Sequence, residues 1–354
     1  MGSVYEAEDV ASGRRVAVKV IHPDRKLNDD VVRRFRRETK AAMAVVSEHI
    51  ARVLEGGTDP AIDAPYMVME HLTGEDLQAA SRRLGPLPPA CALRIVGQAC
   101  EGLRRAHDAG ITHRDIKPAN LFLARGGEDG KITVKILDFG ISKTKPRDLV
   151  GPETTGLTST GAVLGSPFYM SPEQARGIKD IDHRTDLWSL GVVLYRLLTG
   201  REPHHEIDAF GDLIIALCSR SAEPVQQHAP WVPAEVAALA HAALRLNPDD
   251  RYQSAAAMLE PIRALLPDGL ELRAEMLVPL TEAERTVAVA RQIDAVATQE
   301  ERTIAVARQI DAVAAQKAWL AAAGLALATL LGVAGIYRAT LSLAGHAAAP
   351  AASG

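Results

Sequence analysis

Aromatic residues make up only 4% of these 354 residues, which leaves few stacking platforms for single-stranded nucleic acid. Cationic excess is missing as well. Forty Lys and Arg stand against 44 Asp and Glu, a net charge of -4, so no electrostatic argument points to nucleic acid as a partner. Cysteine is scarce: Cys91, Cys100 and Cys218 fit no metal-ligand spacing and no disulfide framework. Cys91 and Cys100, nine apart on a predicted helix, should point to opposite faces, and all three read as reduced, core-filling thiols of a cytosolic chain. The opening MGSVYEAEDV has neither a basic start nor an apolar run and does not read as a secretory leader. What is plentiful is apolar residue. A hydrophobic content of 47% supplies a sizeable core and room for more than one domain.

The stretch HRDIKPAN, His113 to Asn120, concentrates the chemistry. Asp115 offers a carboxylate that can accept a hydrogen bond from a substrate hydroxyl and aim it in line with a phosphate. Lys117 can neutralise charge on a moving phosphoryl group, and Asn120 brings an amide oxygen, a hard ligand suited to Mg²⁺. Pro118 breaks any helix here, so an extended turn can direct all three groups into one cleft. Alone, the octapeptide also reads as a polar loop with a chance ion pair between Asp115 and Arg114 or Lys117. A second motif weighs against that: in KILDFG, Lys135 to Gly140, an apolar strand runs into Asp138, a second carboxylate for Mg²⁺.

These motifs, in this order, resemble those of the serine/threonine protein kinases, and most closely the membrane-anchored eukaryotic-like kinases of bacteria. Matching motifs run from Gly2 to about Arg251. The resemblance implies an α+β, two-lobed protein kinase fold, with a small β-rich N-lobe over residues 1–72 and a larger helical C-lobe over 73–266. It implies ATP and Mg²⁺ as cofactors, with Mn²⁺ as an alternative ion, and protein serine and threonine hydroxyls as acceptors. A small-molecule kinase on the same fold is disfavoured by the long segment that ends in SPE, Ser171 to Glu173.

The resemblance also assigns residues. Of the phosphate-covering GxGxxGxV loop the sequence carries the end, Gly2 and Val4; the first two glycines and the preceding strand are not in it. Two explanations stand, a start assigned inside the loop or a catalytically impaired kinase-like scaffold. Lys19, its stem among the apolar residues of VAVKV, would hold the α and β phosphates, with Glu38 on the helix predicted for VVRRFRRETKAAM as its counter-charge. Met69 would be the gatekeeper of a hinge at PYMVMEHL, where the backbone of Glu70 and Leu72 would meet the adenine edge and side-chain identity carries little information. Asp76 would reach the ribose or, equally, serve as the acid at a helix N-terminus. Val4 and Ala17 would lie above the adenine and Phe122 beneath it.

Between Asp138 and Glu173 the chain is rich in Gly, Ser, Thr and Pro, as an activation segment would be. Thr158 and Thr160 are the candidate phosphorylation sites, placed so that a phosphate could approach Arg114, with a second copy of the chain as the partner in trans. Lys117 together with Ser166 favours serine and threonine over tyrosine acceptors. Glu173 should pair with Arg251, and Asp186 should hold the catalytic-loop backbone.

Past residue 266 the character changes. Residues 267–317 read as a juxtamembrane linker in which ERTVAVARQIDAVATQE is followed at once by ERTIAVARQIDAVAAQK, a tandem repeat of strong helix formers with no Gly or Pro. The next segment, 318–337, is twenty residues without a charge, with Trp319 and Tyr337 at its two ends, and is expected to be one transmembrane helix. The expectation is a single-pass protein of the cell membrane whose kinase domain, needing ATP, faces the cytoplasm and whose tail, 338–354, lies outside.

Overall fold

A computed structural model describes residues 2–21, 35, 39, 42–60, 64–126, 129–138, 166–286 and 288–290. Glu38, Thr158, Thr160, the apolar segment 318–337 and all but the start of the repeat lie outside the described residues. Among the described residues no helix is long and apolar enough to cross a membrane.

The amino-terminal residues build an antiparallel sheet of β1 (Gly2–Asp9), β2 (Arg14–Ile21), β3 (Val53–Asp59) and β4 (Ala64–Glu70), in the order β1-β2-β4-β3. β1 and β2 close as a hairpin because Asp9 accepts from the amide of Ala11 and Gly13 adopts φ +68, with its own N–H on the Asp9 carbonyl at 2.7 Å. The register sets Val4 against Lys19, and Ala17 against Met69 on the other side of β2. Phe35 and Thr39 lie on the helix expected there, both buried.

A second sheet joins β5 (Gly74–Asp76), β6 (Leu121–Arg125), β7 (Lys131–Ile136) and β8 (Leu272–Arg273). Between β5 and β6 come helices α1 (Leu77–Leu84) and α2 (Pro89–Asp108). Pro89 opens α2 at a position where a missing amide costs nothing. Further on, α3 (Pro172–Ala175) and α4 (Arg184–Thr199) lead into the rest of the helical lobe. α4 is apolar nearly all round, and only Arg184 and Arg196 of its residues escape burial, which makes it the axis of the core. It stops at Gly200, whose φ of +83 ends the helix in the left-handed conformation.

α2 is covered on more than one side, so Cys91 and Cys100 are both buried despite their different faces; burial pushes the Cys91 thiol up to about 12. Beyond the expected end of the lobe near 266 the compact unit continues to Val289. After the Pro267-Asp268-Gly269 turn, Leu272 is fully buried and β8 adds to β7. Alternating apolar residues in LEL, too short a run to stand out in the sequence, are what dock it. A helix opens at Glu282, just before the repeat, where Thr281 Oγ1 accepts the Glu284 amide at 3.2 Å while Glu284 Oε2 accepts the Thr281 amide at 2.8 Å.

Three histidines of this unit, His49, His204 and His241, are held below their ordinary pKa, chiefly by burial. His241 Nε2 accepts the Val225 amide at 3.1 Å and would lose that role on protonation. A base whose folded pKa is depressed binds protons better when unfolded. Its contribution is therefore complete above pH 6.5 and is lost as pH falls toward the folded values. Thermal unfolding followed between pH 8 and pH 5 should show a flat Tm at the alkaline end and a falling one below about 6.5; a Tm that rises on acidification would contradict this.

Candidate active site

The site is organised by a carboxylate that never meets water. Asp186, in the first turn of α4 and 0% exposed, accepts the amides of His113 (2.8 Å) and Arg114 (2.7 Å) and sits 2.8 Å from His107 Nε2 at the end of α2. Irregular backbone at this depth must have its N–H groups satisfied, and here one side chain from the core helix does so. Arg114 adopts φ +64, unfavourable for a side chain of its size, and its carbonyl is tied by Gln174 Nε2 at 2.8 Å. His113 is fully buried: Nε2 donates to the Leu137 carbonyl at 2.8 Å, and Nδ1 accepts the Asp115 amide at 3.2 Å. That pair of partners assigns the neutral tautomer with its proton on Nε2.

With the backbone fixed, the side chains converge. Lys117 Nζ lies 2.8 Å from Asp115 Oδ2, and Asn120 Nδ2 donates both to that oxygen (3.1 Å) and to the Asp115 carbonyl (2.7 Å). The Leu137 amide on the Asn120 carbonyl (2.9 Å) brings the end of β7 alongside, where Asp138 stands at φ +54. Asp138 Oδ1 is 2.6 Å from Lys19 Nζ, which comes from β2 in the other sheet. Asp115, Lys117 and Asn120 thus form one group and Asp138 and Lys19 a second, joined through the backbone bond between Leu137 and Asn120.

Asp138 and Asn120 supply hard oxygen donors of the kind Mg²⁺ takes, and with Nδ2 engaged by Asp115 the donor atom of Asn120 is Oδ1. Among the described residues no cluster of three or more His, Cys, Asp or Glu side chains forms a metal centre of its own. The donors present suit an ion that draws its remaining ligands from phosphate and water, which is how Mg²⁺ is usually bound.

The other expected residues are placed as follows. Gly2 and Val4 lie on β1, with Val4 opposite Lys19 and largely exposed. Met69 and Glu70 end β4, Leu72 follows the strand, and Phe122 on β6 sits opposite Asp76 and Lys135. Asp76 caps α1, accepting the Ala79 amide at 2.8 Å, which is the structural one of its two expected roles. The Glu70 side chain is not incidental: Oε1 accepts the Arg52 amide (2.8 Å) and lies 2.7 Å from Lys135 Nζ, tying the hinge strand to β7. Lys135, three residues before Asp138, was the available signal for that tie. Gln174 and His107 carry no sequence signal of their own, since nothing local marks a glutamine as a partner of backbone sixty residues away or a histidine as a partner of the Asp186 carboxylate.

Away from the cleft, Arg251 meets Glu173 through two bonds of 2.8 Å, both side chains buried, and its guanidinium lies 4.9 Å from the Trp188 ring centre. This is the expected Glu173 pair.

The protein kinase domain model matches residues 1–261. The chain belongs to the protein kinase family. It is 36% identical over 282 residues to the serine/threonine-protein kinase Pkn1 of Myxococcus xanthus, covering 79% of this chain and 38% of that protein. To PknB of Mycolicibacterium smegmatis it is 36% identical over 301 residues, 82% of this chain and 44% of the relative. The chain thus spans well under half the length of these curated relatives. Among solved structures, a variant of the Mycobacterium tuberculosis PknI kinase domain superposes with a TM-score of 0.56 at 26% identity, covering 75% of this chain and 90% of that one.

Breaking the Glu173–Arg251 pair from one side strands a buried charge. Glu173→Gln should therefore cost about 3–5 kcal/mol in urea unfolding, and Glu173→Leu combined with Arg251→Met should recover part of that loss; a single variant as stable as the parent would refute the burial argument.

Proposed function

We propose that this protein kinase transfers the γ-phosphoryl group of ATP to serine and threonine hydroxyls of proteins, with Mg²⁺ as its metal. The observation that carries the reading is the connection of Asp115, Lys117, Asn120, Asp138 and Lys19 within one cleft. Asp115 orients the acceptor hydroxyl and takes its proton as the oxygen bonds to the γ-phosphorus and the bond from that phosphorus to the β–γ bridging oxygen breaks, releasing ADP. Lys117 lies beside Asp115, where its charge offsets the negative charge spread over the phosphoryl oxygens. Lys19 holds the phosphates from the other side of the cleft. Asn120 and Asp138 would hold Mg²⁺, which would supply charge neutralisation on the phosphate oxygens. The serine/threonine preference is supported by Lys117 and by the printed names of the relatives. The impaired scaffold has no observation in its favour.

The anchoring and the switch are part of the same reading. The uncharged segment 318–337 supports a single membrane-spanning helix with the kinase domain in the cytoplasm. For the switch, phosphorylation of Thr158 and Thr160 by a second copy fits Arg114, whose Nε is buried with no partner among the described residues.

The test is transfer of radiolabelled phosphate from ATP to a general protein acceptor by the full chain. Asp115→Asn should lower the rate by about 100-fold or more. Equal labelling by the two proteins would defeat the assignment.

A further inference from the structure

β7 pairs with β6 along one edge, and three separate parts of the chain complete the other. At the outer end, Arg273 and Leu272 pair with Lys131 and Ile132, and the Ala274 amide donates to the Gly130 carbonyl at 2.9 Å. Beyond that point β8 has ended, and Val134 is fully buried. Its amide donates to Gln98 Oε1 at 2.8 Å, and its carbonyl faces His49 Nδ1 at 3.1 Å. Gln98, 5% exposed on α2, uses its other end as well, donating from Nε2 to the Leu270 carbonyl at 2.8 Å. At the inner end, Ile136 donates to the His49 carbonyl and accepts from the Ala51 amide, each at 2.9 Å. Two residues later comes Asp138.

The β6–β7 hairpin therefore carries one proposed metal ligand at each foot, Asn120 before β6 and Asp138 after β7. Its far end is held by residues past 261, where the family match stops. α2 leaves room for them: a Cβ on Gly97 would lie 2.6 Å from Leu270 Cδ2, so a larger residue there would have to displace the Leu270 side chain of the strap.

We propose that the strap 270–277 is a positioning element of the phosphoryl-transfer site, acting through Gln98 and β7 on Asp138 and Asn120. The proposal rests on the kinase reading for what those two residues do. Without the strap and Gln98, the buried amide of Val134 and the edge of β7 at Ile132 would have no partners, and the strand would loosen toward Asp138. Asp138 has a backbone conformation that persists only where its surroundings enforce it. Gln98 is a positioning residue here. It touches neither phosphate nor acceptor.

The test uses the full chain and two variants. Gln98→Met removes both bonds at similar volume. Ala274→Pro removes the strap-to-hairpin bond at an exposed residue that opens a 3-10 turn, after Arg273 in an extended conformation (φ -123, ψ 154) that tolerates a following proline. Amide exchange is measured without nucleotide or metal, and ATP binding is titrated with Mg²⁺. Both variants should exchange about tenfold faster over 131–138 while α4 keeps its protection, and both should need about tenfold more Mg²⁺ for ATP binding. Gln98→Glu, which keeps the acceptor for Val134 and loses the donor to Leu270, should fall between. An unchanged Mg²⁺ requirement in folded variants overturns the proposal, even with a lowered Tm. If Gln98→Met does not fold, Ala274→Pro decides alone. Failure of the kinase reading would appear separately, as an unmodified chain that transfers no phosphate.

Discussion

Everything in the cleft depends on the buried carboxylate of Asp186. A loop that presents a carboxylate, a lysine and an asparagine amide to one side within eight residues cannot be regular, so its amides need partners that no ladder provides. α4, the most deeply covered helix of the lobe, supplies them through one side chain with two oxygens for two successive N–H groups. The strain at Arg114 is sustained by that grip together with the Gln174 bond. Rigid support beneath and exposed chemistry above are what pre-organised phosphoryl transfer requires.

A second constraint joins the two sheets. The segment from His49 to Arg52 bonds to Ile136 on one side and to Glu70 on the other, so the hinge strand and β7 behave as neighbours although they belong to different sheets. Glu70 and Lys135 add an ion pair across the same seam. The spacing between the end of β4 and the end of β7 is in this way set by backbone contacts and one ion pair.

The sequence made the reactive group legible because HRDIKPAN and KILDFG place functional types at short, fixed spacings that no packing rule explains. It made the Glu173–Arg251 pair and the role of Asp186 legible only through the family's pattern, since their partners lie 65 or more residues away. It did not reveal Gln98, Gln174 or the tie at Glu70, because a polar residue that satisfies distant backbone looks like any other until the fold closes. The strap was missed for a different reason: two leucines after a Pro-Asp-Gly turn resemble the end of a domain, and only the open edge of β7 turns them into a strand.

The central claim is that Asp186 acts on catalysis by holding backbone. Asp186→Asn is the most direct probe, because an amide offers one acceptor where two N–H donors wait and turns its own NH₂ toward the other. Steady-state kinetics of the folded variant should show kcat lowered about 100-fold with the KM for ATP within about threefold of the parent. A variant with parental kcat would show that the loop holds its shape without this carboxylate and would contradict the account.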